Sequence, residues 1–244
     1  IDPVTDIQII NAELALSDLD ILEKNYQKIK KVQKTDDDKR KVQIIERAID
    51  LISNEKKLLG NLGNDEIEYL NTYQLISIKP VVYICNVDES SALSGNEFTK
   101  KIEDYAKDNK SEVLLISAKI ESEISQIADE KDKQDFLESM GLSETGLKRV
   151  IRKGYEILNY INYFTAGEKE LRAWTIIKGT MAPSAAGTIH SDMEKGFIRA
   201  ETISFDDYVA NNGESGANEK GKLRLEGKEY EVKDGDVMHF LFNV

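Results

Sequence analysis

The sequence is poor in the residues that build metal and disulfide sites: one cysteine and two histidines in 244 residues. The lone Cys85 excludes an intramolecular disulfide framework and a cysteine-cluster zinc site. At the end of a buried strand it reads as an inert thiol. His190 stands beside Asp192 and Glu194, but with one histidine local it reads as a hydrogen-bonded loop residue. His239 alternates with Phe240 and reads as structural. No metal ligand set is expected. No run of about 18 apolar residues occurs, so no membrane span is expected. The start, Ile1-Asp2-Pro3-Val4, lacks an initiator Met, a basic region and an apolar core of a signal peptide. The expectation is a fragment from a reducing, cytoplasmic compartment.

Basic residues are also in deficit, 33 against 45 acidic, for a formal charge of −12. Such a chain is no simple basic nucleic-acid binder. Local basic runs exist at Lys28, Lys30, Lys31 and Lys34, and at Lys148, Arg149, Arg152 and Lys153, and both read as solvated helix faces. With 40% hydrophobic residues a packed core is expected. The length fits one large domain or two or three small ones.

Ala15, Leu19, Leu22, Tyr26 and Ile29 step by four and three. So do Val42, Ile45, Ile49 and Ile52. Both are heptad-like stripes among charged residues and predict two antiparallel helices, with Thr35 capping the second. A third helix is expected near Asn64, with Ile67 and Leu70 inward. Then Val81-Val82-Tyr83-Ile84-Cys85 and Glu112-Val113-Leu114-Leu115-Ile116 read as buried parallel strands flanking a helix at 97–109. Helical segments follow around 121–140 and 144–159, with Gly141 at a C-terminal cap and Ser143 at an N-cap. The last third reads as α+β. Strands are expected at Leu171–Ile177, Phe197–Ser204, Leu223–Leu225, Tyr230–Val232 and Val237–Val244. Short helices are expected near 184–186 and 205–209, and a mobile loop at 211–222.

The chemistry concentrates where the two apolar strands end. The first runs into Asn86-Val87-Asp88-Glu89 and the second, about 30 residues on, into Ser117-Ala118-Lys119. Loops at the carboxyl ends of parallel strands face the ligand crevice. An Asn there can donate to and accept from a purine edge, a carboxylate can accept from a base N–H, and Ser-Ala amides can close over the base. The arrangement resembles the base-recognition pair of P-loop GTPases. Relative to the usual Asn-Lys-x-Asp, Val87 replaces Lys and Glu89 replaces Asp, so strict guanine selection is not expected.

With these motifs, Ile1-Asp2-Pro3-Val4-Thr5-Asp6-Ile7 and Asn11-Ala12-Glu13-Leu14 resemble the YchF/EngD family, Obg-related P-loop NTPases that prefer or accept ATP. The tail carries the resemblance furthest. Glu170-Leu171-Arg172-Ala173-Trp174-Thr175-Ile176, Gly179–Gly187, His190–Glu201 and the ending Phe240-Leu241-Phe242-Asn243-Val244 look like the family's C-terminal TGS domain. The resemblance implies an α/β remnant of a P-loop G domain at 1–11 and 76–158. It also implies an inserted antiparallel helical coiled coil at 12–75 and an α+β, ubiquitin-like β-grasp TGS domain at 159–244. Asn86, Val87, Glu89, Ser117, Ala118 and Lys119 would form the nucleotide-binding loops. Trp174 and Phe197 read as β-grasp core.

Neither Gly-x-x-x-x-Gly-Lys-[Ser/Thr] nor an Asp-x-x-Gly switch upstream of the hairpin occurs in the chain. Phosphate and magnesium therefore have no residues here, and no catalytic residue is assigned. The resemblance implies ATP or GTP with Mg2+ in a parent protein, and a ribosomal partner, the large subunit and its RNA. Arg172, Lys178 and Arg199 are candidate RNA contacts. The missing half would leave a strand edge and Val82 and Ile84 uncovered, unless that half stays bound or helices of 121–159 rearrange over the gap. The alternative function is a non-enzymatic RNA- or protein-binding adaptor built from a coiled coil and a β-grasp domain.

Overall fold

The computed structural model describes residues 2–32, 34–167 and 170–243. Ile1 and Val244, which end two of the family motifs, lie outside the described residues. The chain forms two compact units, Ile1–Arg149 and Val150–Val244, each combining helices with a sheet in an α/β fold.

In the first unit, α1 runs unbroken over Pro3–Val32. Its entry is fixed by Asp2, which accepts from the Val4 N–H at 3.3 Å and the Thr5 hydroxyl at 2.8 Å, with Pro at the first helical position. α2 spans Asp36–Ser53. Thr35 caps it as expected: its hydroxyl accepts from the Asp38 N–H at 3.1 Å, and Asp38 accepts from the Thr35 N–H at 2.9 Å. Both expected stripes face one core, in which Leu22, Ile45 and Ala48 are sealed from solvent. Ile44 and Leu51 widen the α2 stripe, so α2 also receives α3, Asn64–Asn71, and the loop residues Leu58, Leu75 and Ile78. Asp18, fully buried on α1, ties that loop down. Its two oxygens accept from the N–H groups of Ile76 at 2.8 Å and Ser77 at 2.7 Å.

The tied loop leads into β1, Val82–Asn86. A 3-10 turn at Glu89–Ser91 and α4, Glu97–Asp108, carry the chain to β2, Glu112–Ile116. β1 and β2 pair in parallel, with Val82 opposite Glu112 and Asn86 opposite Ile116. The two strands are not buried as expected: of their residues only Cys85 is buried, Val82 is half-buried and Ile84 is 48% exposed, because β1 and β2 pair only with each other among the described residues. The helical stretch expected at 121–140 divides into α5, Ala118–Gln126, and α6, Glu130–Ser139. The reason is Asp129, whose carboxylate accepts from the Lys131 and Asp132 N–H groups and starts a new helix. α6 stops as expected at Gly141, at φ +74°. The Leu142 N–H returns to the Leu137 carbonyl and the Gly141 N–H to that of Glu138, the Schellman pattern. α7 spans Gly146–Ile157. Its cap is Thr145, whose hydroxyl accepts from the Lys148 N–H at 3.2 Å, and not Ser143.

The second unit holds a five-stranded sheet. β3, Tyr160–Ala166, was not anticipated. The strand, with aromatics at Tyr160, Tyr163 and Phe164, follows the helix without Gly or Pro, and the break falls on Asn159 at φ +54°, a residue that tolerates this conformation. β4, Leu171–Ile177, and β5, Phe197–Ser204, match expectation. Between them lie α8, Ala182–Ile189, and α9, Ser191–Lys195. α10, Phe205–Ala210, matches the short helix expected near 205–209, whereas the expected mobile loop at 211–222 instead holds α11, Glu214–Glu219, with Ala217 buried. β6, Arg224–Glu226, and β7, Asp236–Phe242, complete the sheet. Its order is β4-β3-β7-β5-β6, with β3 and β7 parallel and the other pairs antiparallel. Tyr230–Val232 is not a strand. It forms one isolated bridge, Glu231 to Met181, because it pairs with the turn before α8. Ala182, Ala185 and Ala186 let α8 approach the sheet over Tyr163, Phe197 and Phe240. The Tyr163 hydroxyl donates to the Ala185 carbonyl at 2.9 Å.

Two outcomes follow from the buried and capping carboxylates. Asp18→Ala removes a buried carboxylate and the acceptors of the Ile76 and Ser77 N–H groups and should cost about 2 kcal/mol, read by denaturant unfolding. The Asp38 carboxyl is held down from 3.8 to about 2, first by the Lys34 N–H and then by Thr35. A lowered folded value means that its stabilisation is full above about 3.8 and is lost as pH falls towards about 2. An NMR titration of the Asp38 carboxyl, and a flatter acid limb for Asp38→Asn, check this.

Candidate functional site

Parallel pairing brings the ends of β1 and β2 to the same edge of the sheet. The Val87 N–H donates to the Ile116 carbonyl at 2.8 Å and extends the ladder by one step. Asn86 is exposed, and its Oδ1 accepts from the Ala118 N–H at 3.0 Å. One side chain thus fastens the first loop to the start of α5. Ser117 holds the N-cap position of α5 without capping it. Its hydroxyl is buried and has no hydrogen-bond partner among the described residues.

Asp88 shapes the first loop. Its Oδ1 accepts from the Ser91 N–H at 2.8 Å and the Ser90 hydroxyl at 2.9 Å. The Ser91 side chain first, then the Ser90 hydroxyl and the Ser91 N–H, hold its carboxyl below the usual range. Glu89 pairs with the Lys119 ammonium across the two loops. That contact lowers the Glu89 carboxyl and raises the Lys119 ammonium, each chiefly through the shared hydrogen bond. Asn86, Glu89, Ser117, Ala118 and Lys119 are therefore brought together. Val87 joins them through its backbone, while its half-buried side chain packs below on the cluster of Ala92, Ile120, Ile124, Leu137 and Leu142.

Of three positions behind the loops, Glu121 and Gly146 were not singled out in the sequence, and Arg149 was read only as part of a solvated helix face. Glu121, in the first turn of α5, accepts from the Gly146 N–H at 2.6 Å and the Leu147 N–H at 3.1 Å. Its carboxylate satisfies these two first-turn N–H groups of α7 beside the Thr145 cap. A Cβ on Gly146 would lie 2.9 Å from Ile116, so only glycine lets α7 begin this close to β2. Arg149 donates from Nη2 to the Leu115 carbonyl at 2.8 Å. The Ile116 carbonyl faces β1, so that of Leu115 faces the opposite edge, and Arg149 covers the outer side of β2. The second basic run is thus not wholly a solvated face: Arg149 is half-buried, and Lys153 pairs with Glu156. The sequence signal for this brace was a glycine after a threonine at a helix start, followed by a basic residue.

The candidate RNA contacts lie apart. Arg172 stacks over the Trp174 ring at 4.2 Å, on the sheet face that bears Tyr163. Arg199 stands opposite Leu241, out of phase with buried Ala200 and Phe240, on the other face. Lys178 follows the far end of β4. Trp174 stacks on Tyr163 and Phe197 is buried, both in the core. His190 accepts at Nδ1 from the Asp192 N–H at 3.2 Å, a local hydrogen bond. Among the described residues no three His, Cys, Asp or Glu side chains are grouped to hold a metal ion. Cys85 is buried, and burial pushes its thiol up.

Comparison with known proteins identifies the lineage. The family model YchF-GTPase_C, described as a protein of unknown function (DUF933), matches residues 160–243. "Ribosome-binding ATPase YchF" of Haemophilus ducreyi is 47% identical over all of this chain and 68% of its own length. The protein of the same name from Bacillus subtilis is 45% identical over the same shares. The chain belongs to the YchF family. The solved YchF GTPase of Schizosaccharomyces pombe is 31% identical, with a TM-score of 0.86 over 99% of this chain and 66% of that one. A GTP-binding protein of Pyrococcus horikoshii, 19% identical with a TM-score of 0.61, shares the fold. The chain thus spans about two thirds of the length of the YchF relatives it matches. The names of these relatives include both ATPase and GTPase.

Asn86→Ala should destabilise the chain by about 1 kcal/mol through loss of the Ala118 bond. Ser117→Ala should change stability by less than about 0.5 kcal/mol, because the hydroxyl has no bond to lose. Parallel denaturant curves distinguish the two.

Proposed function

We propose that this chain is the base-reading and ribosome-facing part of a nucleoside triphosphatase that works on the ribosome. The observation that carries the reading is the cross-loop pair of contacts, Asn86 to Ala118 and Glu89 to Lys119, at the carboxyl ends of two parallel strands. Asn86 keeps its amide N–H₂ free of Ala118 and offers it to a purine ring nitrogen. Glu89 is an acceptor suited to the exocyclic amine of adenine, which guanine lacks at that position. Ser117 supplies a buried hydroxyl without a partner among the described residues, Ala118 and Lys119 supply the wall of the base site, and Val87 supports it from below. The residues present fit a purine base. The phosphates and Mg2+ of ATP or GTP, which supply the hydrolytic chemistry when bound, have no Gly-rich loop in this sequence. The isolated chain is therefore inactive as a triphosphatase.

The same reading assigns the remaining parts. The α1–α2 hairpin is the coiled-coil arm, inserted at 12–75 into a G-domain remnant of 1–11 and 76–158. The five-stranded sheet is the β-grasp TGS domain of 159–244. The relatives' names, which say ribosome-binding, support a ribosomal partner. We assign the large subunit and its RNA, in the cytoplasm, with Arg172, Lys178 and Arg199 as separate contacts and not one patch.

A calorimetric titration with magnesium ATP and then GTP, followed by amide NMR, tests the base site. No micromolar binding and no phosphate release are expected. At millimolar ATP, the amides of residues 86–89 and 117–119 should shift, and more than with GTP. Unmoved loop amides would remove the base-site assignment, and phosphate release would remove the inactivity.

A further inference from the structure

β4 is an edge strand whose only protection among the described residues is one charge, Arg172, drawn over the Trp174 ring. It lies at the end of the sheet, runs seven residues in unbroken register with β3, and contains neither proline nor lysine. The opposite edge, β6, is three residues long. Leu171 is 77% and Ile177 59% exposed.

The direction of the free backbone groups can be read from the bonds to β3. The Lys178 N–H donates to the Asn159 carbonyl at 2.7 Å, and the Gly167 N–H donates to the Glu170 carbonyl at 3.0 Å. Even-numbered residues of this stretch therefore turn their N–H and C=O groups to β3. Leu171, Ala173, Thr175 and Ile177 turn theirs to the open side.

The order of side chains along this edge is self-complementary about Trp174. Three residues to either side stand the exposed apolar Leu171 and Ile177. Four residues to either side stand Glu170 and Lys178, of opposite charge. Ala173 and Thr175, both small, flank the centre.

We propose that β4 pairs antiparallel with β4 of a second copy of this chain, about a two-fold axis at Trp174. Leu171 then faces Ile177 of the second copy, Ala173 faces Thr175, and Glu170 faces Lys178, each twice by symmetry. The four odd-numbered residues meet their own kind, so every outward N–H finds a carbonyl. The two Trp174 rings stand side by side, each under its Arg172 guanidinium, which is 4.2 Å from the ring centre. The two five-stranded sheets become one. The pairing is isologous and closes at two copies. It buries little surface for a stable dimer, so a dissociation constant of about 100 µM is expected.

Sedimentation equilibrium of the 244-residue chain over a wide concentration range should show a rise from one chain mass towards two. Glu170→Lys or Lys178→Glu alone sets like charges opposite each other twice and should weaken the dimer about tenfold. The double exchange E170K/K178E should restore it. Ala173→Pro removes an outward N–H that β3 does not use, so it should abolish the dimer and leave the melting temperature unchanged. Amide exchange at Leu171, Ala173, Thr175 and Ile177 should slow as concentration rises, while that of Arg172 and Trp174 stays constant. A single chain mass at every concentration would overturn the proposal. So would a dimer indifferent to charge reversal, or one that leaves the odd-numbered amides unprotected.

Discussion

The pairing of β1 with β2 is the constraint on which the candidate site rests. Two parallel strands do not make a stable sheet alone, yet the two loops meet only while those strands hold register. The surrounding structure acts as a brace. Asp18 anchors the loop that feeds β1. Arg149 covers the outer side of β2. Glu121 links α5 to the start of α7, and Val87 roots the first loop in the apolar cluster beneath it. Remove any one of these and the loops lose their spacing before they lose their residues.

The elements legible in the sequence were those in which local signals agree with the tertiary result. The helical stripes, the Thr35 cap, the Gly141 stop and the two apolar strands each carry their structure in a short window. β3 was illegible because its start depends on one asparagine in a left-handed conformation, which no glycine announced. Tyr230–Val232 has strand composition, but its position is fixed from elsewhere. Tyr230 donates its hydroxyl to buried Asp236 at 2.7 Å, and the Ala182 and Val232 N–H groups close a bridge to the turn before α8.

The site shows the same division. Asn86, Glu89 and Ser117-Ala118-Lys119 were readable as chemistry because they follow apolar runs at a recognisable spacing. Their mutual contacts were not readable, since Glu89 and Lys119 are thirty residues apart and meet only through the parallel pairing. The brace was least visible. Glu121 and Arg149 belong to types that usually face water, and the one signal near them, Thr145-Gly146 before a basic residue, marks a helix start without revealing which backbone groups of other elements they bond.

The buried Cys85 thiol makes the strand pair observable. It is the only cysteine of the chain, it lies on β1 opposite Leu115, and burial raises its proton affinity. A thiol reagent can reach it only when β1 and its surroundings open. The rate of modification therefore counts openings of the strand pair, with no engineered probe and no competing thiol, and any ligand that clamps the two loops together registers as protection of a sulfur that it never touches.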